Sequence, residues 1–239
     1  MSELKNINIS GVGTLDGGEY DKIILSGATK IMSYAKGNKI IASGSCTSFA
    51  NLEGGYINIS GAMKSEGGLI SSDLIQISGS TKVDFIKATT LNISGTTKVN
   101  NDCTFDKVRI SGNLNIDGSC EGRDFKASAR LVIGKLLSAD IVEINIEGKS
   151  SISEIGGEKI TIRKGLSLLG FSIFPILKKE LSCDSIEGDT IYLENTICKV
   201  VRGKNIIIGE GCNINKIEYS GTLTVDKRSE VGERECMKN

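Results

Sequence analysis

Ile75-Gln76-Ile77-Ser78-Gly79-Ser80-Thr81-Lys82-Val83 is followed, one repeat later, by Leu91-Asn92-Ile93-Ser94-Gly95-Thr96-Thr97-Lys98-Val99. Within each stretch apolar residues alternate with polar ones up to a Ser-Gly pair, and a second short alternating run follows it. Alternation with period two is the mark of a strand with one buried face. Working outward, the Ser-Gly pair recurs with its glycine at Gly11, Gly27, Gly44, Gly61, Gly79, Gly95 and Gly112, at gaps of 16 to 18 residues. Stacked on that glycine, two positions upstream stand Ile9, Leu25, Ala42, Ile59, Ile77, Ile93 and Ile110. Four positions upstream stand Ile7, Ile23, Ile40, Ile57, Ile75, Leu91 and Val108. The second run recurs as Ala28–Ile31, with Ser48 and Ser65 where Ile31 and Val83 would align.

A repeat of ~17 residues is too short for helical repeats or propeller blades, which run to roughly 33–50 residues. Three short strands per turn fit it. The expectation is an all-β, triangular parallel β-helix in which identical positions lie over one another at ~4.8 Å, the strand spacing. The isoleucines form ladders in a narrow core. The glycine after each serine suits a corner of positive φ, where it meets little steric cost.

Composition agrees. The 34 isoleucines and 29 glycines make up about a quarter of the 239 residues, and there is one proline. Beyond Gly112 the pattern persists less regularly as Leu131/Ile133, Ile144/Ile146, Ile160/Ile162, Ile191/Leu193, Ile206/Ile208 and Ile217/Tyr219. Residues 166–177 break it with a charge-free apolar segment that holds the proline, Pro175. Its Phe171, Ile173, Phe174 and Ile176 form a candidate interaction flap against the outer wall, a membrane surface or another protein. The division expected is coils over 1–165, the apolar insertion over 166–181, further coils over 182–225 and a polar tail over 226–239.

Chemistry is narrowed by what the composition lacks. The chain has no histidine, which removes His-dependent nucleophilic, metal and acid–base chemistry. Its 29 basic and 29 acidic side chains balance, so nucleic acid is not an expected partner. Aromatics are 5% of residues and offer few stacking platforms. No phosphate loop, calcium repeat or nucleophile elbow is present, so nucleotide and cofactors are not expected. The acidic groups Asp16/Glu19/Asp21 and Glu187/Asp189 read as solvated corners rather than a carbohydrate-cleaving pair. Seven widely spaced cysteines without a C-x-x-C pair, in a chain whose start carries no signal-peptide pattern, read as buried reduced thiols in a cytoplasm.

Ile208-Gly-Glu-Gly-Cys-Asn-Ile214 resembles one turn of the hexapeptide repeat of left-handed β-helix acyltransferases, which need many contiguous turns and a catalytic histidine. A longer resemblance comes from Ser185-Ile-Glu-Gly-Asp-Thr-Ile-Tyr-Leu-Glu-Asn-Thr196, Lys199-Val-Val-Arg-Gly203, the 208–214 string and Ile217-Glu-Tyr219. In this order they resemble the bactofilins, polymer-forming bacterial cytoskeletal proteins, in their Gram-positive form. The resemblance spans roughly 1–165 through the repeat and 182–220 through the motif. It implies a right-handed β-helix and a non-enzymatic scaffold that polymerises without nucleotide. It also implies a cytoplasmic location, peripheral at the inner face of the membrane. The chain departs from the family in its number of coils and in the 166–177 insertion. The alternatives are a β-helix binding module for envelope polymers or proteins and, more remotely, a carbohydrate-active enzyme.

Overall fold

A computed structural model describes residues 4–165 and 178–237. The described residues hold only strands, turns and bends, and every printed strand pairing is parallel. The fold is a parallel β-solenoid with coils of about 17 residues. The chain divides into two compact units, Met1–Gly118 and Ser119–Asn239.

The first unit contains β1 (Asn6–Ile9), β2 (Val12–Leu15), β3 (Gly18–Leu25), β4 (Ala28–Ile31), β5 (Ala35–Ala42), β6 (Ser45–Ser48) and β7 (Leu52–Ile59). It continues with β8 (Ala62–Ser65), β9 (Leu69–Ile77), β10 (Ser80–Val83), β11 (Ile86–Ile93), β12 (Thr96–Val99), β13 (Cys103–Ile110) and β14 (Asn113–Ile116). Each coil is one long and one short strand. The long strand bends once, so its burial alternation changes phase midway: in β5, Ala35 and Gly37 point inward, then Ile40 and Ala42. With Cys46 and Ser48 of β6, one coil has three inward pairs and hence three walls.

The ladder register is direct. Ile59, Ile77 and Ile93 are successive partners, as are Ile57, Ile75 and Leu91. Ile23, Leu25, Ile40, Ile57, Ile59, Ile75, Ile77, Leu91, Ile93, Val108 and Ile110 are all buried, whereas Ile7 and Ile9 of the first coil are only half-buried. The sequence alignment missed a third wall, headed by Ala35, Leu52, Leu69, Ile86 and Cys103, which pair in that order every 17 residues. Ser48 and Ser65 keep the register of the short strands. They replace apolar residues because the adjoining corner needs polar partners: Ser48 donates to the Ala50 carbonyl at 2.7 Å, and the Gly67 N–H donates to Ser65 Oγ at 3.1 Å.

The corner glycines are glycines for a different reason than the one expected. Positive φ occurs at Gly17, Gly18, Gly211 and Asn195, and at none of the Ser-Gly corners. What those corners lack is space. A Cβ on Gly27, Gly44, Gly61, Gly79, Gly95 or Gly112 would lie 1.9–2.1 Å from the carbonyl oxygen of the corner glycine one coil earlier. The column is a run of close backbone contacts that a methyl group would wedge apart.

The second unit contains β15 (Cys120–Ile146), β16 (Ser150–Lys164), β17 (Leu181–Leu193), β18 (Thr196–Ile208), β19 (Asn213–Val225) and β20 (Glu230–Cys236). Here single strands run through the corners. The inward columns include Ile160–Ile191–Ile206–Leu223 and Ile152–Cys183–Cys198–Ile214. The apolar pairs read from sequence mix walls. Ile144 aligns with Ile162, so Val142/Ile144 rather than Ile144/Ile146 continues the column of Ile160/Ile162. Ile217/Tyr219 aligns with Val201/Gly203, not with Ile206/Ile208. The expected polar tail contains β20, which pairs with β19 from Asn213↔Glu230 to Tyr219↔Cys236. The flap residues Phe171, Ile173, Phe174 and Ile176 lie outside the described residues. On either side of that segment β16 pairs directly with β17, Ser150 opposite Leu181 and Ile162 opposite Leu193, so the solenoid continues across it. Lys179 fastens the returning chain through Glu147 Oε2 at 2.6 Å and the Gly165 carbonyl at 3.1 Å.

Candidate functional site

The first coil offers the most exposed apolar surface of the ladder. Among the described residues β1 pairs with β3 along one edge, with Ile7 opposite Ile23 and Ile9 opposite Leu25, and no printed pairing occupies its other edge. Unpaired strand edges are templates for further pairing. Ile7 and Ile9 stay half-buried because no coil covers them from that side. Val12 of β2 is 93% exposed. Gly11 is the telling residue of this coil. A Cβ there would meet nothing within 4 Å, although each later corner glycine is closed by its neighbour.

The final strand is built differently. β20 carries Glu230, Glu233, Arg234 and Glu235, and Lys216 on β19 bridges Glu218 and Glu235 at 2.8 Å each. Arg202 reaches Glu218 at 2.5 Å. Lys216 and Arg202 together hold the Glu218 carboxyl below the usual carboxylate range. At the preceding turn Arg228 pairs with both Glu210 and Asp226, and its hydrogen bonds hold Asp226 down to about 2. A charged edge strand resists indiscriminate pairing.

Each unit also has a lateral groove at the tight bend of its coils. In the first unit a groove of about 720 Å³ runs over Gly37, Gly54, Ser71 and Ala88. In the second a groove of about 750 Å³ runs over Gly157, Gly188 and Gly203. Small residues make these depressions, and carbonyls hold them small: a Cβ on Gly188 would stand 2.3 Å from the Gly157 oxygen. The string from Ser185 to Tyr219 thus contributes one side of the second groove. Its Glu187 stacks in register with Arg202 and then Glu218, a ladder of alternating charge that the 17-residue search did not detect because the coils there are 15 and 16 residues long. Glu154, Glu158, Glu187 and Asp189 line the groove as exposed side chains.

Six of the seven cysteines are buried free thiols and Cys236 is exposed. Cys183 and Cys198 are stacked partners on β17 and β18. Burial pushes the Cys46 thiol up to about 11, and the hydrogen bond with Cys198 together with burial pushes Cys183 up as well. No helix among the described residues is long and apolar enough to cross a membrane.

Two curated relatives from Bacillus subtilis (strain 168) are similar to parts of the chain. The uncharacterized protein YhbF is 45% identical over 85 residues, covering 36% of this chain and 34% of the relative. The uncharacterized protein YhbE is 46% identical over 103 residues, covering 41% and 42%. The chain therefore spans about a third to two fifths of the length of these relatives. No family model and no solved structure matches the chain.

Proposed function

We propose that the protein is a non-enzymatic scaffold that self-associates end to end through its first coil, as a bactofilin-like cytoskeletal polymer in the bacterial cytoplasm. The observation that carries this reading is the first coil itself, with half-buried Ile7 and Ile9, one unpaired edge on β1, and open space over Gly11. A second copy added to that edge at the ~4.8 Å strand spacing would complete the backbone hydrogen bonds and cover both isoleucines. Its backbone would occupy the space into which a Gly11 side chain points. Assembly of this kind uses only sheet edges and apolar contact, so it needs neither nucleotide nor Mg²⁺.

The test is Gly11→Ala. The variant should melt with the wild-type protein, since the added methyl touches nothing within the chain. It should lose the pelleting and the filaments that wild type gives in negative-stain micrographs. Wild-type protein that sediments as a monomer at all accessible concentrations, or that assembles only with nucleotide, would overturn the reading. A β-helix binding module is the second reading, favoured by the two glycine-floored grooves. A wild-type monomer that retains an envelope polymer or protein would select it.

A further inference from the structure

The outward face of the short strands in the first unit carries a single file of lysines. Lys30 is followed in register by Thr47, Lys64, Lys82 and Lys98, so three lysines stand on consecutive coils. Neighbouring coils are ~4.8 Å apart, and the file from Lys30 to Lys98 is about 19 Å long. The companion outward column is Ala28, Ser45, Ala62, Ser80 and Thr96. Outward positions of β4, β6, β8, β10, β12 and β14 include no carboxylate and no aromatic ring. Lys30, Lys64 and Lys82 are exposed. Of the four lysines, Lys98 has an ion pair, with Asp117 at 3.0 Å.

Like charges directly opposite on neighbouring strands repel and weaken a sheet. Three in succession form a locally unfavourable arrangement in a chain whose total charge is zero. A bound anion would relieve it. Lysine supplies point charges suited to phosphate, and the file contains no arginine fork of the kind that grips carboxylates in pairs. Exposed hydroxyls of Ser45, Ser80 and Thr96 adjoin the file and can donate to phosphate oxygens. On the other side Glu66 and Asp84 follow Lys64 and Lys82 by two residues, and Asp84 accepts a hydrogen bond from Asn101. That acidic border leaves room for a narrow chain over the lysines but would press carboxylates against a broad anionic sheet such as a lipid bilayer. The absence of aromatic rings removes the stacking platform that single-stranded nucleic acid uses.

We propose that this face binds a linear phosphate polymer lying along the solenoid axis, over Lys30, Lys64, Lys82 and Lys98. The site stands apart from the first-coil edge and does not depend on self-association. The test measures affinity of the full chain for two probes, inorganic polyphosphate and poly(glycerol phosphate), at low and at higher salt. Wild type should bind at least one, and affinity should fall steeply with salt as counterions are released. The preferred probe tells which backbone spaces its phosphates to suit the file. Lys64→Gln/Lys82→Gln should lower affinity about tenfold or more, with melting unchanged or raised as repulsion is relieved. Lys64→Arg/Lys82→Arg should retain binding. Lys87→Gln/Lys159→Gln, which removes equal charge elsewhere, should change affinity by less than about twofold. Failure of both probes to bind, or equal loss in the two glutamine pairs, would overturn the proposal. So would single-stranded DNA or acidic-lipid vesicles binding more tightly than both probes with the same dependence on Lys64 and Lys82.

Discussion

In the first unit the corners advance the chain between inward positions by three, four and four residues: from Gly37 to Ile40, from Ala42 to Cys46 and from Ser48 to Leu52. In the second unit the corresponding steps, from Cys183 to Ile186, from Gly188 to Ile191 and from Leu193 to Thr196, are three each. The extra residues make coils of 17 against 15. Three-residue corners inside β5 and β17 leave the strand unbroken, whereas four-residue corners interrupt it. The Ser-Gly corner is one of the four-residue kind, and it brings consecutive coils into backbone contact. In the second unit the equivalent tight position between β17 and β18 is met by Asn195 at a φ of 47°, a conformation asparagine tolerates better than most residues. The same wall is therefore held at its edges by close packing in one unit and by a left-handed residue in the other.

The largest expected effect strikes the ladder of the first unit. Ile77→Asp sets a carboxylate between Ile59 and Ile93, and an uncompensated buried charge costs about 3–5 kcal/mol. Urea unfolding should then show the first unit melting before the second. A variant within a degree or two of wild type would mean the stacked register is wrong. Next comes the corner contrast. Gly79→Ala would force its methyl to within 1.9 Å of the Gly61 oxygen, an overpacking worth about 1–3 kcal/mol. Gly156→Ala in β16 meets no atom closer than 4.0 Å and should shift the midpoint by less than about 0.5 kcal/mol. Equal midpoints for the two alanines would show that the coil spacing yields easily.

A smaller effect, opposite in sign between the units, concerns buried threonines. Thr97 points inward with its hydroxyl lacking a partner, while the Thr196 hydroxyl donates to the Glu194 carbonyl at 2.9 Å. Thr97→Val should stabilise by about 1 kcal/mol and Thr196→Val should destabilise by a similar amount, both read from denaturant midpoints. If both valines destabilise, Thr97 makes a hydrogen bond that this geometry lacks. The smallest effect on the fold is expected from replacing 166–177 by a short Gly-Ser linker. Because β16 pairs directly with β17, strand content by circular dichroism should hardly change, while self-association or vesicle binding should respond if those residues form an interaction flap. Loss of strand content would place the segment among the supports of the coils.

The walls containing Ile57/Ile59 and Thr81/Val83 were legible because each repeats as an alternation beside the Ser-Gly landmark. The wall headed by Leu52 and Leu69 was not, although it repeats more strictly, because Gly54 and Ser71 replace the second apolar residue of each pair and disguise the alternation. In the second unit corner lengths change, so counting apolar pairs moved from one wall to another at Ile144/Ile146 and Ile217/Tyr219. The open first coil was inferable from the early start of the repeat at Ile7. The grooves were not, since they arise where Gly157, Gly188 and Gly203 stack from separate coils.

By itself the sequence determined a parallel solenoid with isoleucine ladders, because period-two alternation repeated at ~17 residues leaves each strand one place to bury its apolar face. It also narrowed the chemistry by omitting histidine. The tertiary structure alone decided why the corner residue is glycine, since contact with a carbonyl one coil away depends on the stacking distance and not on local backbone preference. It likewise decided that Lys64, Lys82 and Lys98 form one file, because residues 16 to 18 apart become neighbours only when the coils are laid in register.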